Sequence, residues 1–271
     1  MSNNTVKAVV TGAAGRMGSR IINILSTTEG FKLGGALEKK GHATIGQDAG
    51  LTAGIGATGV KIVDDLGAAL SGGDVLIDFT FPEASLEHLK ACDALGKAAI
   101  IGSTGFSKEQ LAEVNKLVQK VPCVLSPNMS VGVNVCFKVL ADLAKILGPE
   151  FDAEIVEWHH RLKKDAPSGT AVRMGEVVAK ALGRDYAKSA KYHREGMTGV
   201  RTNEEIGMQT VRGGDIVGEH TVYFIGMGER IELTHRAHTR DMFVRGALRA
   251  AKWIIGKKPG LYDMQDVLGL K

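Results

Sequence analysis

The chain has 271 residues, 44% of them hydrophobic and 24% charged, with a net charge of +4 and 35 glycines: an ordinary soluble composition with core enough for one large domain or two modest ones. No apolar run approaches membrane-spanning length and the opening Met1-Ser2-Asn3-Asn4-Thr5 is polar, so no membrane partner is expected and the protein is assigned to the cytoplasm. Aromatics at 5%, with none interleaved among basic runs, give no nucleic-acid partner, and Cys92, Cys123 and Cys136, an odd number in apolar settings, read as reduced core thiols.

Residues 6–10 form a short apolar strand that runs into Gly12-Ala13-Ala14-Gly15-Arg16-Met17-Gly18, after which Met17, Ile21, Ile24 and Leu25 recur at helical spacing. The order is strand, glycine turn, helix. Its spacing, G-x-x-G-x-x-G, departs from the dinucleotide fingerprint G-x-G-x-x-G, but the physical roles survive: a tight turn, backbone close to a pyrophosphate and close helix-to-strand contact. A second strand, 31–37, ends at Glu38, about 20 residues past the last glycine, where an acid can accept from ribose hydroxyls. Lys39 and Lys40 follow at once, and a cation there can meet a 2′-phosphate. The cofactor is therefore expected to be NADH or NADPH.

Residues 41–59 read as a glycine-rich, mobile loop. Strands then alternate with helices: a strand at 60–63, a short helix at 66–70, a buried strand at 75–80 stopped by Pro82, a helix at 84–95 and a strand at 98–101. Ser107 with Gln110 is a capping box opening a helix to 120, and a further strand spans 123–125. This alternation predicts a Rossmann-type, doubly wound parallel sheet whose ligand lies outside the carboxyl ends of the strands. Those ends, 12–17, 38–39, 102–104 and 126–129, are expected to hold the nucleotide.

A long helix over 131–147 leaves this domain. A strand at 152–158 then leads into Glu157-Trp158-His159-His160-Arg161-Leu162-Lys163-Lys164-Asp165-Ala166-Pro167-Ser168-Gly169-Thr170-Ala171, the densest proton-handling and anion-binding stretch in the chain. Val172, Gly175, Val178, Ala179 and Leu182 continue as a helix. Pro167 and Ser168 are its start signals, and Ser168, Gly169 and Thr170 are expected to present backbone N–H groups to a carboxylate, favoured there by the helix dipole. No further Cys/His spacing accompanies the histidine pair, so no metal is expected. Beyond a polar stretch at 186–203 come β-like runs at 207–211, 220–225 and 230–235, the last two flanking the hairpin signal Gly226-Met227-Gly228-Glu229, and Phe243, Ala247, Ala250, Ala251 and Ile254 mark a final helix. The fold class is α/β: a Rossmann-type doubly wound domain in the first half and an α+β domain with a mixed or antiparallel sheet in the second.

The chain resembles the dihydrodipicolinate reductases. The resemblance covers nearly its whole length and is most specific at E-x-H-H-x-x-K-x-D-A-P-S-G-T-A, matched from Glu157 through Ala171. Supporting matches are the turn at 12–18, Asp78-Phe79-Thr80, Gly102-Ser103-Thr104-Gly105-Phe106, Asn128 with Ser130 to Asn134, and Gly213 with Asp215 to His220. The resemblance implies reduction of a cyclic unsaturated dicarboxylate by a nicotinamide hydride, in lysine and diaminopimelate biosynthesis. It also implies an acid/base pair of His159 and Lys163, substrate carboxylate on His160, Gly169 and Thr170, and a nucleotide on Gly12, Ala13, Ala14, Gly15, Arg16, Met17, Glu38, Lys39, Gly102, Ser103, Thr104, Ser126, Pro127, Asn128 and Met129. A homotetramer joined through the second-domain sheets is implied as well, with the chain's last helix returning to the first domain, so that the domains are 1–130 plus 240–271 and 131–239. Lys39 stands where some relatives carry Arg, which removes a bidentate grip on a 2′-phosphate. Rival readings are another two-domain dehydrogenase, for which no catalytic thiolate motif is present, and a nucleotide sensor, against which His159 and Lys163 argue.

Overall fold

The computed structural model describes residues 5–271. Its strands are β1 (Val6–Thr11), β2 (Phe31–Leu37), β3 (Ile62–Val63), β4 (Val75–Asp78), β5 (Ala98–Ile101), β6 (Pro122–Leu125), β7 (Asp152–His159), β8 (Ala190–Lys191), β9 (Ile206–Arg212), β10 (Gly218–Ile225), β11 (Arg230–Ala237) and β12 (Gly260–Tyr262). Its helices are α1 (Arg16–Ser26), α2 (Ala49–Thr52), α3 (Leu66–Ser71), α4 (Pro82–Leu95), α5 (Lys108–Leu117), α6 (Val131–Leu147), α7 (Gly169–Ala181), α8 (Tyr186–Ser189), α9 (Asp241–Ile254) and α10 (Met264–Leu268). They fall into two compact units, one comprising the chain up to Val131 with Asp241–Lys271, the other Gly132–Arg240.

The first unit is built on a parallel sheet in the order β12-β6-β5-β4-β1-β2-β3. Its central strands are apolar and fully buried, Val9, Val10, Leu76, Ile77, Ile100 and Ile101 among them, as a parallel sheet covered on both faces requires. From β1 the chain runs outward to β2 and β3, and from β4 it runs the other way to β5 and β6. The reversal between β1 and β4 is the switch point at which such sheets take a ligand. Helix α1 buries Ile21, Ile22 and Leu25, and α9 returns to the same core with Val244, Ala247, Ala250 and Ala251. Arg20 of α1 grips Asp241 through Nε and Nη2 at 2.6 and 2.5 Å.

Several expectations need correction. The segment 41–59, expected as loop throughout, contains the short helix α2 and winds around Asp48, whose carboxylate accepts N–H groups from Gly50, Leu51, Thr58 and Gly59 and caps that helix. The Thr58 N–H leads the set of bonds that lowers the Asp48 carboxyl to about 2. Pro82, expected only to stop β4, occupies the first turn of α4, where its missing N–H costs nothing. Helix α5 ends at Leu117 rather than 120. The tail beyond Gly256 adds β12 to the sheet edge beside β6, and α10 follows with a capping box between Asp263 and Asp266.

The second unit carries a mixed sheet, β11-β10-β7-β9-β8, in which β7 runs antiparallel to β10 and parallel to β9. Helices α6 and α7 contribute Leu140, Ala144, Met174 and Val178 to a core shared with Ile155, Met208, Val222 and Phe224. Both core helices therefore lie on one face. Strand alternation turns Ala153, Ile155, Glu157 and His159 of β7 toward that buried face, leaving Glu154, Val156 and Trp158 on the other.

Gly246 of α9 sits so close to β6's exit that an added Cβ would lie 1.7 Å from the Met129 carbonyl oxygen. Gly246→Ala should therefore lower stability by about 1–3 kcal/mol, against a helix-propensity gain of about 1 kcal/mol. Urea unfolding measures this, and unchanged stability would refute the close approach.

Candidate active site

In the first unit β1 stops at Thr11 and the chain turns at Gly12, whose φ of +60° is a left-handed conformation open to glycine. Gly18, one turn into α1, rests on that same peptide, since a Cβ there would stand 2.0 Å from the Gly12 oxygen. Gly15 is the N-cap and offers no side chain, so the first N–H groups of α1 face a potential anion. Glu38, at the end of β2, accepts the Ala14 N–H at 3.1 Å and the Lys39 N–H at 3.0 Å.

These residues line a cleft of about 790 Å³ with Arg16, Met17, Lys39, Lys40, His42, Phe79, Thr80 and Phe81, a size typical of ligand sites. Asp78, at the end of β4, accepts the Thr80 N–H and hydroxyl at 2.7 and 2.6 Å, and its other oxygen meets His88 Nδ1 at 2.7 Å. Burial opposes that charge, but the bonds from His88 and Thr80 outweigh it and hold the carboxyl below its ordinary range.

The other predicted cofactor residues lie at the ends of β5 and β6, on the far side of the switch point. Gly102 is packed against the Phe79 ring, and Thr104 and Pro127 are exposed. Ala13, Ser103, Ser126 and Met129 are buried. Ser103 Oγ pairs with Ser85 Oγ at 2.8 Å, Ser126 Oγ donates to the Asn128 carbonyl at 2.9 Å, and Asn128 Oδ1 accepts the Ser130 N–H at 2.9 Å. These serine hydroxyls tie their turns to α4 and to the Asn128 peptide.

In the second unit the predicted stretch closes around Glu157. Its side chain is 1% exposed, on the same face of β7 as Ile155. One oxygen, Oε2, meets His159 Nδ1 and accepts Arg212 Nη1 at 2.9 Å. The other, Oε1, accepts Arg212 Nη2 at 2.8 Å and the Ser168 N–H at 3.0 Å. Burial alone would raise this carboxyl, but the bonds from His159, Arg212 and Ser168 reverse it and bring it to about 2. Arg212 Nη2 also donates to the Asp165 carbonyl at 2.7 Å, and the Asp165 side chain takes Lys163 Nζ at 3.0 Å.

Ser168 caps α7, its Oγ accepting the Ala171 N–H at 3.2 Å and sharing a 2.9 Å hydrogen bond with His220 Nε2. Two expectations are thereby corrected. Pro167 lies ahead of the cap rather than in the first turn, and the Ser168 N–H is not open to a ligand because Glu157 takes it. Gly169 and Thr170 are the first helical residues, and the space where a Gly169 side chain would stand is empty of protein.

His160 follows the strand with its N–H on the Ile216 carbonyl at 2.7 Å and its Nδ1 buried without a partner among the described residues. His220 lies edge-on to His159, ring centroids 5.2 Å apart, and burial, reinforced by His159, lowers it to about 3. Trp158, on the opposite face, is 43% exposed. Among the described residues no three His, Cys, Asp or Glu side chains are grouped to hold a metal.

Sequence reasoning named no role for Glu157, Arg212 or His220. Strand period from His159 back to Glu157 was the available signal for the first; Arg212, 55 positions away, offered none.

A glycine turn feeding a helix start, an acid at the next strand end and a separate unit rich in proton donors define a nicotinamide-dependent oxidoreductase. The family pattern described as "Dihydrodipicolinate reductase, N-terminus" matches residues 6–129, and its C-terminal counterpart matches 132–268. The chain is 68% identical over 266 residues to a 4-hydroxy-tetrahydrodipicolinate reductase of Geotalea uraniireducens, covering 98% of this chain and 100% of that one. The same enzyme of Syntrophotalea carbinolica is 67% identical over 266 residues, again with 98% and 100% coverage. A dipicolinate-bound dihydrodipicolinate reductase from Paenisporosarcina sp. TG-14 shares the fold, with a TM-score of 0.77 at 24% identity over 97% of this chain and 98% of that one. The protein belongs to the dihydrodipicolinate reductase family.

His220 is buried neutral, so between its ordinary range and about 3 the unfolded chain binds a proton that the native chain does not. Stability falls as pH drops through that window, by about 1 kcal/mol from pH 6 to pH 5 for this group alone. His220→Asn should remove that increment from the pH dependence of urea unfolding, and equal slopes for the two proteins would refute a neutral His220.

Proposed function

We propose that the chain reduces 4-hydroxy-tetrahydrodipicolinate to tetrahydrodipicolinate with NADH or NADPH, in lysine and diaminopimelate biosynthesis, and that the loop between β7 and α7 handles the substrate and its proton. The observation that carries this reading is the join of a carboxylate-held His159, a cationic loop containing Lys163 and an open helix start at Gly169. Loss of the substrate's 4-hydroxyl as water leaves a conjugated C=N/C=C dicarboxylate; a bound nicotinamide would supply the hydride that adds to it, and the electron density so created must be quenched by a proton. Lys163 delivers that proton, with its positive charge close to the developing anion, and His159 assists. His160, Gly169 and Thr170 hold the substrate carboxylate, favoured by the dipole at the start of the 13-residue α7.

The nucleotide rests on Gly12, Ala13, Ala14, Gly15, Arg16, Met17, Glu38 and Lys39, with Gly102, Ser103, Thr104, Ser126, Pro127, Asn128 and Met129 at the other strand ends. The left-handed Gly12 and the uncapped start of α1 suit a pyrophosphate. Glu38 suits the ribose hydroxyls. Lys39 is a point charge rather than a fork, so a 2′-phosphate is accepted without being required.

No helix among the described residues is long and apolar enough to cross a membrane, and a cytoplasmic location follows from the substrate's metabolic role. The β7–β10 face opposite the core helices carries Val156, Trp158, Thr221 and Tyr223, and this face joins subunits of a homotetramer.

Lys163→Ala and His159→Ala should each lower kcat by roughly 10²–10⁴-fold in steady-state assays. Near-normal turnover in Lys163→Ala would remove its role, and assays of the unaltered enzyme with NADH and NADPH on the same substrate should show both working. Val156→Glu should lower the mass measured by light scattering below that of four chains; an unaltered tetramer would place the interface elsewhere.

A further inference from the structure

We infer that Glu157 is a positioning residue, a single carboxylate that fixes which ring nitrogen of His159 meets the substrate and where the anion-binding start of α7 lies. The inference rests on the roles given above to His159, Gly169 and Thr170.

An ionised carboxylate only accepts hydrogen bonds. The Nδ1 that meets Oε2 must therefore carry the proton, and the exchangeable position of the neutral ring is Nε2. Nε2 projects beside Gly218, where an added Cβ would stand 2.9 Å from it, so glycine clears the space that this nitrogen needs. The second oxygen takes the Ser168 N–H at 3.0 Å, immediately before the residues that start α7. Arg212 bridges both oxygens at 2.9 and 2.8 Å and so fixes the plane of the carboxylate. Arg212 also reaches the Asp165 carbonyl at 2.7 Å, in the residue whose side chain pairs with Lys163. One planar group thus sets the histidine, the helix start and the lysine loop in register.

A plain structural ion pair would predict only a loss of stability on substitution. Positioning predicts a change of tautomer. In Glu157→Gln, the Oε1 position faces the Ser168 N–H, Arg212 Nη2 and the Thr210 hydroxyl, whereas the Oε2 position faces only one obligate donor, Arg212 Nη1, besides His159; the amide nitrogen therefore falls on the His159 side, giving up the Nη1 bond. It donates, Nδ1 must then accept, and the ring proton moves to Nε2. In a carboxylate–histidine pair of another enzyme a wrong tautomer costs roughly 10⁴ in kcat, and a loss of at least roughly 10²-fold is expected here with the KM for the dicarboxylate changed much less.

The test is ¹⁵N NMR of histidine-labelled protein at a pH where the ring is neutral, with kinetics on the same samples. The unaltered protein should show His159 as the Nδ1–H tautomer and Glu157→Gln as Nε2–H with the lowered kcat. An Nε2–H tautomer in the unaltered protein overturns the inference, whether or not the variant folds. So does a Glu157→Gln protein with unaltered tautomer and turnover. Failure of the functional reading looks different: His159→Ala and Lys163→Ala turn over normally while the tautomer of the unaltered protein is still Nδ1–H.

Discussion

The second unit is organised by the need to keep one buried negative charge. Strand alternation carries the apolar face of β7 through Ala153 and Ile155 directly to Glu157, so the carboxylate enters the core by register alone. A charge taken out of water costs several kcal/mol unless its acceptor sites are filled and a counter-charge lies close. Arg212 supplies the counter-charge and two donors; Ser168, His159 and the Thr210 hydroxyl supply the rest. What satisfies the charge is also what arranges the site. The loop from His160 to Pro167 has both ends tied to the same group, through the histidine before it and the serine after it.

The first unit solves a different problem by similar means. Its central strand β1 buries Ala8, Val9 and Val10, and the polar residues of the cleft gather where the strand ends. Gly12 and Gly18 allow peptide groups to approach more closely than any side chain permits, and the start of α1 is left uncapped by side chains. In both units the reactive groups stand at the carboxyl end of a strand flanked by others, where the sheet beneath is rigid and the backbone becomes free to present N–H groups.

Much of this was legible from residue order. Alternating strands and helices gave the parallel sheet, and the glycine turn followed by Glu38 pointed to the residues that line one cleft, because both signals are local and repeat at known periods. The run Glu157–Ala171 stood out by density of charge, and His159, Asp165 and Ser168 do gather around Glu157 and Arg212. What escaped was long-range. Arg212 and His220 reach Glu157 and Ser168 across strands distant in sequence, and nothing in their own neighbourhoods announces it. The Ser168 N–H looked available because a helix start normally leaves it so; a side chain 11 residues earlier takes it. Residues 41–59 looked loose because glycine dominates them, and a single aspartate with four backbone donors organises them. The tail seemed featureless because β12 owes its conformation to pairing with β6.

The return of the chain to its first unit has a consequence for biogenesis. Residues 132–240 form their unit from one uninterrupted segment, whereas the sheet of the other lacks its edge strand and a covering helix until α9 and β12 have been translated. During synthesis the later-encoded unit is thus the one that can finish first. The opening segment waits with part of its apolar surface bare, and Arg20 finds Asp241 only after more than two hundred further residues have emerged from the ribosome.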